Sequence, residues 1–187
     1  MSIVICVVNR NREFCIAADK RAKKDGVIND NYQKLFKLKK DVYFGMTGIA
    51  EEGHKILNKL MYCTHLSPTG LIKFTDLSFQ PNNKILTIMI AGKNEKGDFF
   101  IWQKNNKNEI VIADVSVENI AFSLSTNDNS ELFNDYLSSE LKTGKLIEEA
   151  IINTIKFASE RDASISKNFD IVTHKTDNKY EETNNLP

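Results

Sequence analysis

The sequence predicts an α+β protein arranged as a four-layer α-β-β-α sandwich. Three observations support this fold class. The predicted elements follow the order strands, helix, strands, two helices, strand. Some strands are apolar at every position, which is typical of strands buried on both faces. The helices carry an apolar face, so they can cover the outer faces of two stacked sheets.

Strands dominate the first 48 residues. Ile3–Val8 is a continuous apolar run, mostly β-branched, and Phe14–Ala18 is a second apolar run that stops at Asp19. Lys20–Gly26 is polar and is read as a connection. Two further apolar segments, 35–38 and 42–46, flank the charged turn 39–41, which predicts a hairpin.

A helix is predicted over residues 50–63, where Ala50, Leu57 and Leu60 recur at helical spacing. Pro68 and Gly70 are expected to mark its exit, and residues 71–80 receive no firm assignment. The remaining elements are predicted to be strands at 85–91, 99–102, 110–112 and 119–123, helices at about 130–141 and around 147–158, and a last strand at 169–173.

Composition limits the class of protein. The 187 residues suit one domain, assigned to residues 1–173, followed by a polar tail at 174–187 that is expected to be flexible. The 25 basic and 25 acidic residues cancel, which argues against a nucleic-acid binder held by a basic face. We therefore expect no nucleic-acid partner.

The sequence also indicates where the chain resides. No stretch approaches the roughly 18 apolar residues that span a bilayer, and the N-terminal run lacks the flanks of a signal peptide. The three cysteines, Cys6, Cys15 and Cys63, are odd in number and lie in or beside apolar stretches. Reduced thiols, a cytoplasmic location and no membrane contact are the expectation.

Familiar catalytic motifs are missing from the sequence. It contains neither a glycine-rich phosphate loop nor a nucleophile elbow, and it lacks the cysteine and histidine pairs of a zinc site. We expect no metal and no cofactor. Asp19, Lys34 and Asp162 instead stand at the ends of predicted elements, and Gly48 closes a strand. Each alone fits an ordinary turn, surface or helix-end role.

Several segments combine residue types and spacings in a recognisable way. They are Ile16-Ala17-Ala18-Asp19-Lys20-Arg21-Ala22, Gly26-Val27-Ile28, Lys34-Leu35-Phe36-Lys37-Leu38, Tyr43-Phe44-Gly45-Met46-Thr47-Gly48, Ser159-Glu160-Arg161-Asp162 and Asp170-Ile171-Val172. Together they resemble the proteasome β-subunit family, which includes bacterial proteasome-like peptidases. This resemblance implies the N-terminal-nucleophile hydrolase fold, which is an α-β-β-α sandwich.

The resemblance also implies a catalytic site. Its nucleophile is the first residue of the mature chain, usually Thr and here Ser2, which would be exposed by removal of Met1. Lys34 lowers the pKa of the terminal amine and Asp19 is the partner of Lys34. The catalytic set implied in this way is Ser2, Asp19, Lys34, the backbone N–H of Gly48 as oxyanion hole, Ser125, and Asp162 as the residue that orients the amine.

Three assignments within this resemblance have alternatives or departures. The turn 9–13 is about one residue longer than in the family, which leaves a register in which Met1 occupies the nucleophile position and the site is inactive. The site serine is either Ser123 or Ser125, with Ser125 preferred on its interval to Asp162. Lys23 stands where the family has a Thr that contacts substrate.

The family register also implies a substrate pocket beside the nucleophile. Its lining is expected to be Ala22, Tyr32, Met46 and Ala50, with His54 as a further candidate. Tyr32 and Met46 provide apolar walls and the set contains no carboxylate. The expected preference is therefore for an apolar residue before the cut peptide bond.

The function implied is an N-terminal serine peptidase that cuts peptides or unfolded proteins through an acyl-enzyme, inside a homo-oligomeric ring that an ATPase unfoldase could feed. The alternatives are a non-catalytic ring or scaffold subunit and an amidase of the same class that acts on a small amide.

The helix at 50–63 adds a separate argument for a ring, because Ile56 and Met61 extend its apolar surface beyond one face. They could instead pack under residues 66–82 of the same chain.

Overall fold

The computed structural model describes residues 2–9, 13–79, 85–114, 120–125 and 130–174. Its strands are β1 (Val4–Asn9), β2 (Phe14–Asp19), β3 (Ala22–Lys24), β4 (Val27–Asn29), β5 (Leu35–Lys39), β6 (Val42–Gly48), β7 (Leu86–Lys93), β8 (Phe99–Asn105), β9 (Ile110–Asp114), β10 (Ile120–Ser125) and β11 (Phe169–His174). Its helices are α1 (Ala50–Met61), α2 (Pro68–Ser78), α3 (Ser130–Lys142) and α4 (Ile147–Arg161).

Two antiparallel sheets form the centre of the molecule. The first has the strand order β10-β1-β2-β11 and the second β5-β6-β7-β8-β9, while β3 and β4 form a separate two-stranded hairpin. The helices α3 and α4 cover the first sheet, and α1 and α2 cover the second. This is the predicted α-β-β-α sandwich.

The alternation of side chains along β1 explains its uninterrupted apolar sequence. Ile5 and Val7 belong to the core cluster beneath α3 and α4, whereas Cys6 and Val8 belong to the cluster between the two sheets. A third cluster lies between the second sheet and the helices α1 and α2. A central strand with a core on each face has no position left for a polar side chain.

The segment after α1 differs from the prediction. Pro68 and Gly70 do not mark an exit, because Pro68 begins α2 and Gly70 lies within its first turn. Ser67 is the N-cap, and its side chain accepts a hydrogen bond from the backbone N–H of Gly70. Proline is favourable at the first position of a helix, where its missing N–H costs nothing. The unassigned residues 71–78 are therefore helical.

The polar stretch read as a connection, Lys20–Gly26, forms the first strand and the turn of the β3–β4 hairpin. Asp25 and Gly26 form its two-residue turn, with φ angles of 50° and 83°, and Lys24 faces Val27 across it. Asp-Gly is a strong signal for such a turn, since both positions require positive φ. The hairpin could therefore have been predicted from the sequence.

The second apolar set on α1 is divided between core and surface. Ile56 is buried in the cluster with Leu60 and Leu71 of α2, so the packing alternative within the chain is correct for this residue. Met61 remains half exposed. The apolar surface of α1 available to another subunit is smaller than the sequence indicated.

The last strand continues one residue beyond the predicted domain boundary. His174, expected to begin the tail, is buried at the end of β11, and its Nε2 lies 2.8 Å from the hydroxyl of Tyr43. The rest of the predicted tail, residues 175–187, lies outside the described residues. Among the described helices, none is long and apolar enough to cross a membrane.

Candidate active site

The carboxylate of Asp19 organises one end of the sandwich. Asp19 is the last residue of β2 and is fully buried. Its Oδ1 accepts hydrogen bonds from the backbone N–H of Ile3 and from the Lys34 ammonium, both at 2.8 Å. Its Oδ2 accepts from the backbone N–H groups of Arg21 at 2.9 Å and Ser166 at 3.2 Å. Four donors therefore hold this buried charge in place.

Lys34 directly precedes β5 and is also buried. Burial lowers the pKa of its ammonium, because the charged form loses its hydration, and the neighbouring Asp19 carboxylate partly offsets that effect. The result is a cation with few water contacts and one buried counter-charge. Such a group exerts a stronger field on its neighbours than a solvated lysine would.

Ser2 is buried beside this ion pair, and the next residue, Ile3, fixes the position of its backbone. The backbone of Ile3 makes two hydrogen bonds to Asp19, one from its N–H to the carboxylate and one to its carbonyl from the Asp19 N–H at 3.1 Å. The position of Ser2 is therefore fixed by the residue that also holds Lys34. Met1, and with it the register that would put Met1 at the nucleophile position, lies outside the described residues.

Gly48 ends β6 in a conformation that favours glycine. Its φ is 94°, and a Cβ there would lie 2.2 Å from the carbonyl oxygen of Ile85. Along β6 the N–H groups alternate in direction: that of Met46 donates to the Lys34 carbonyl on the β5 side. The N–H of Ile49 donates to Ile85 on the β7 side. By this alternation the Gly48 N–H is directed to the same side as that of Met46, toward Lys34.

Asp162 follows α4 as its C-cap and is buried. Its Oδ1 accepts hydrogen bonds from the backbone N–H of Ser164 at 2.8 Å and from the Ser164 hydroxyl at 2.5 Å. Its Oδ2 is buried and has no hydrogen-bond partner among the described residues. A buried carboxylate oxygen of this kind is ready to accept a donor.

These groups surround one cavity of about 860 Å³. The lining includes four of the predicted catalytic residues and all four residues predicted to bind substrate: Ser2, Lys34, Gly48, Asp162, Ala22, Tyr32, Met46 and Ala50. Asp19 lies behind Lys34 and is not part of the lining. The structure thus brings together residues that are separated by up to 160 positions in the chain.

Two predicted residues are not placed at the cavity by the described contacts. His54 is not part of the lining, and its ring packs edge-on against Tyr32 and Phe36, with ring centroids 5.8 and 5.5 Å away. Ser125 ends β10 opposite Val4 in the backbone register, and Ser123 lies opposite Cys6. The side chains of Ser123 and Ser125 lie outside the described residues, so the choice between them stays open.

Arg21 is a structural residue that the sequence analysis did not single out. Its guanidinium binds both carboxylate oxygens of Asp30, at 2.5 and 2.8 Å, and the carbonyl oxygen of Ala163 at 2.6 Å. These contacts tie the β3–β4 hairpin to the loop after Asp162. The hairpin register could have revealed the pair, because Ala22 faces Asn29 and the next positions outward are 21 and 30.

The apolar wall of the cavity depends on a second glycine. A Cβ at Gly53 of α1 would lie 2.3 Å from the sulfur of Met46, so the absence of a side chain leaves room for Met46. Three isoleucines in the lining were not predicted: Ile28, Ile49 and Ile85. Within the described ranges, no group of three or more His, Cys, Asp or Glu side chains could hold a metal ion.

Comparisons with known proteins give a result only at the level of structure. No family model matches the sequence, and no curated protein does. By structure, 539 solved chains match. One is eukaryotic HslV from Trypanosoma brucei, with a TM-score of 0.72 over 93% of this chain and 99% of that chain, at 10% sequence identity. The chain has the proteasome-type N-terminal-nucleophile hydrolase fold of HslV. At this identity the likeness establishes the fold, whereas activity depends on the residues of the site.

Proposed function

We propose that the chain is an N-terminal serine peptidase of the proteasome type, which hydrolyses peptide bonds through an acyl-enzyme. The observation that carries the proposal is the shared cavity of Ser2, Lys34, Gly48 and Asp162. Buried Asp19 supports it by holding both Lys34 and the backbone beside Ser2. The HslV fold supports the same class of enzyme.

Ser2 is the nucleophile in this proposal, once removal of Met1 makes it the first residue. A serine hydroxyl is weak until a base takes its proton, and the α-amine of Ser2 is that base. Its unperturbed pKa is about 7.7–8.0, and a nearby ammonium lowers the pKa of an amine. Lys34 has that role, so a larger fraction of the amine is neutral near pH 7.

The reaction uses the remaining groups in sequence. The Ser2 Oγ attacks the carbonyl carbon of the substrate while its proton passes to the α-amine, directly or through water. The Gly48 N–H donates to the oxyanion that forms, and the protonated amine then supplies the proton to the leaving nitrogen. Water then attacks the carbonyl carbon of the acyl-enzyme and gives a proton to the α-amine, which returns a proton to the Ser2 Oγ as the ester bond breaks. The free Oδ2 of Asp162 accepts from the amine or hydroxyl of Ser2 and orients it.

The cavity supports a peptide as the substrate. Its volume of about 860 Å³ is near the upper end of the range for small-molecule sites, which gives more room than a small amide needs. Tyr32, Met46 and Ala50 form an apolar wall without a carboxylate. We therefore expect cleavage after an apolar residue in peptides or unfolded proteins.

Assembly into a homo-oligomeric ring in the cytoplasm, served by an ATPase unfoldase, completes the proposal. The fold of HslV supports a ring. The exposed side chains of Met61, Tyr62 and Leu77 near the ends of α1 and α2 provide apolar surface for subunit contacts. Light scattering at micromolar concentration tests this part: a mass of six or more chains supports it, and the mass of one chain contradicts it.

Hydrolysis assays test the activity. The wild-type protein should cleave fluorogenic peptides after apolar residues, and the rate should rise with pH through the pKa of the Ser2 amine. The Ser2→Ala substitution should abolish cleavage and leave the circular dichroism spectrum unchanged. Turnover of small amides but not of peptides would support an amidase instead. Folded rings that retain Met1 and cleave nothing would identify a non-catalytic subunit.

A further inference from the structure

The charges that line the cavity differ in how they are paired. Three lining residues are cations: Arg21, Lys23 and Lys34. Arg21 is engaged by Asp30 and Lys34 by Asp19. Lys23 is exposed on β3, and within the part of the chain that the structure describes no carboxylate pairs with it. Its ammonium is therefore available to a ligand in the cavity.

The hairpin register places this ammonium on an apolar surface. Lys23 faces Ile28 across the β3–β4 pair, so the two side chains share one face. Both residues line the cavity, and Ile28 is 55% exposed. The next residue, Lys24, faces Val27 on the other face and does not belong to the lining. Lys23 therefore contributes its charge to the cavity, whereas Lys24, an identical residue on the same strand, does not and can serve as a control.

The hairpin also holds Lys23 in a defined place. The Arg21–Asp30 pair closes its open end, and the contact between Arg21 and the Ala163 carbonyl joins it to the loop beside Asp162. A lysine on an anchored strand presents its charge within a limited volume. A cleft with low-dielectric walls strengthens the effect of such a charge on a bound ligand.

The geometry points to Lys23 as a specificity-determining residue that favours peptides with an acidic side chain near the apolar residue bound in the cavity. The inference rests on the proposed peptidase function and refines its substrate class. The acidic group belongs to one of the three residues that precede the apolar residue. A basic side chain at the same place meets a like charge, because the carboxylate in the described lining, Asp162, is assigned to the amine or hydroxyl of Ser2.

The test measures binding rather than turnover, so that it does not depend on catalysis. Isothermal titration on the folded Ser2→Ala protein uses acetylated peptide amides that contain one Leu, with Glu, Gln or Lys at each of the three preceding positions. At one position we expect Glu to bind about three- to fivefold more tightly than Lys, as for a partly exposed ion pair. The preference should decrease at 0.5 M salt, since salt screens exposed charges.

Two charge reversals in the Ser2→Ala protein complete the test. Lys23→Glu should invert the preference, so that Lys binds more tightly than Glu at that position, while Lys24→Glu should keep the original order. Equal binding of the three peptides, an unchanged order in Lys23→Glu, or no peptide binding at all would overturn the inference. Wild-type protein that shows the binding preference but hydrolyses no peptide would instead contradict the proposed function alone.

Discussion

The two ends of β2 bury polar groups in different ways. At its C-terminal end, Asp19 and Lys34 form a charged pair next to a cavity that is also lined by Asp162. One oxygen of Asp162 has no hydrogen-bond partner in the described part of the chain. At its N-terminal end, Phe14 packs against the rings of Tyr43 and His174, which share a hydrogen bond, with ring centroids 5.9 and 5.6 Å away. The first end leaves polar groups available to a ligand, whereas the second encloses them among aromatic rings.

This difference separates polar groups that serve chemistry from those that serve packing. A buried charge costs free energy unless it is paired, so a charged pair at a cavity wall is a structural cost that a function can explain. A hydrogen bond enclosed among aromatic rings stabilises the strand ends and needs no further role. Substitutions at the two ends should therefore separate activity from stability.

The largest effect is expected from Asp19→Ala. Without the carboxylate, the Lys34 ammonium is buried without its counter-charge, which costs about 3–5 kcal/mol of unfolding free energy, and the backbone beside Ser2 loses its acceptor. Denaturant unfolding and peptide hydrolysis should both show severe losses.

Asp170→Asn is the control for this loss. Asp170 is another buried carboxylate, and its Oδ1 forms an ion pair with the Lys20 ammonium at 3.0 Å. It does not line the cavity, so its substitution should lower stability and leave the specific activity of the folded protein unchanged. Equal loss of specific activity in both variants would mean that Asp19 has only a structural role.

Gly48→Ala should lower turnover by about 10²–10³, the usual effect of a lost oxyanion donor. The new Cβ would meet the Ile85 carbonyl, so the strand end must move and the N–H with it. Gly97→Ala is matched in backbone, with φ of 84°, and has no atom within 4 Å of its Cβ. Both variants carry the strain of positive φ, and steady-state kinetics should show a loss of kcat in Gly48→Ala alone.

Tyr43→Phe tests the enclosed end of β2. Removal of the hydroxyl leaves the buried Nε2 of His174 without this partner, which should cost about 1–2 kcal/mol of unfolding free energy. Hydrolysis by the folded protein should match the wild type. A loss of activity beyond the unfolded fraction would show that the two ends are coupled.

The smallest effect is expected from Glu95→Gln in the loop between β7 and β8, where the side chain accepts hydrogen bonds from Thr69 in the first turn of α2. Hydrogen bonds from Ser67, its own backbone N–H and Thr69 lower the pKa of Glu95 to about 2. Because the pKa of Glu95 is lower in the folded protein, its ionised side chain stabilises the fold at pH values above the unfolded pKa, near 4.5. This stabilisation is lost as the pH falls toward 2. The side chain is solvent-exposed, so the wild type should exceed the variant by less than about 1 kcal/mol at pH 7. Urea unfolding should show no difference at pH 2.

The sequence predicted most of the fold because its signals were local. Continuous apolar strands and periodic helices define the two sheets and the helices α1, α3 and α4. The failures also have local causes: Pro68 was read as a helix end although it suits a helix start, and the Asp25-Gly26 turn was overlooked in a polar segment. His174 was assigned to the tail because its burial depends on Phe14 and Tyr43, which are distant in sequence.

The site was less accessible to sequence reasoning. Asp19, Lys34, Gly48 and Asp162 each fit an ordinary role, and it was the family resemblance that joined them. Spacing alone does not show that one carboxylate binds both Lys34 and the Ile3 backbone. Nor does it show that Arg21 pairs with Asp30 whereas no described carboxylate pairs with Lys23. Such facts depend on contacts between β2, β5 and the loop after α4.

The most direct test of the proposed mechanism is the intact mass of the purified protein before and after reaction with a peptide epoxyketone. This inhibitor reacts with both the hydroxyl and the free amine of an N-terminal nucleophile. The account predicts a chain that lacks Met1 and gains one inhibitor per chain, with the adduct mapped to Ser2 and absent from Ser2→Ala. A chain that retains Met1 and gains no adduct would contradict it.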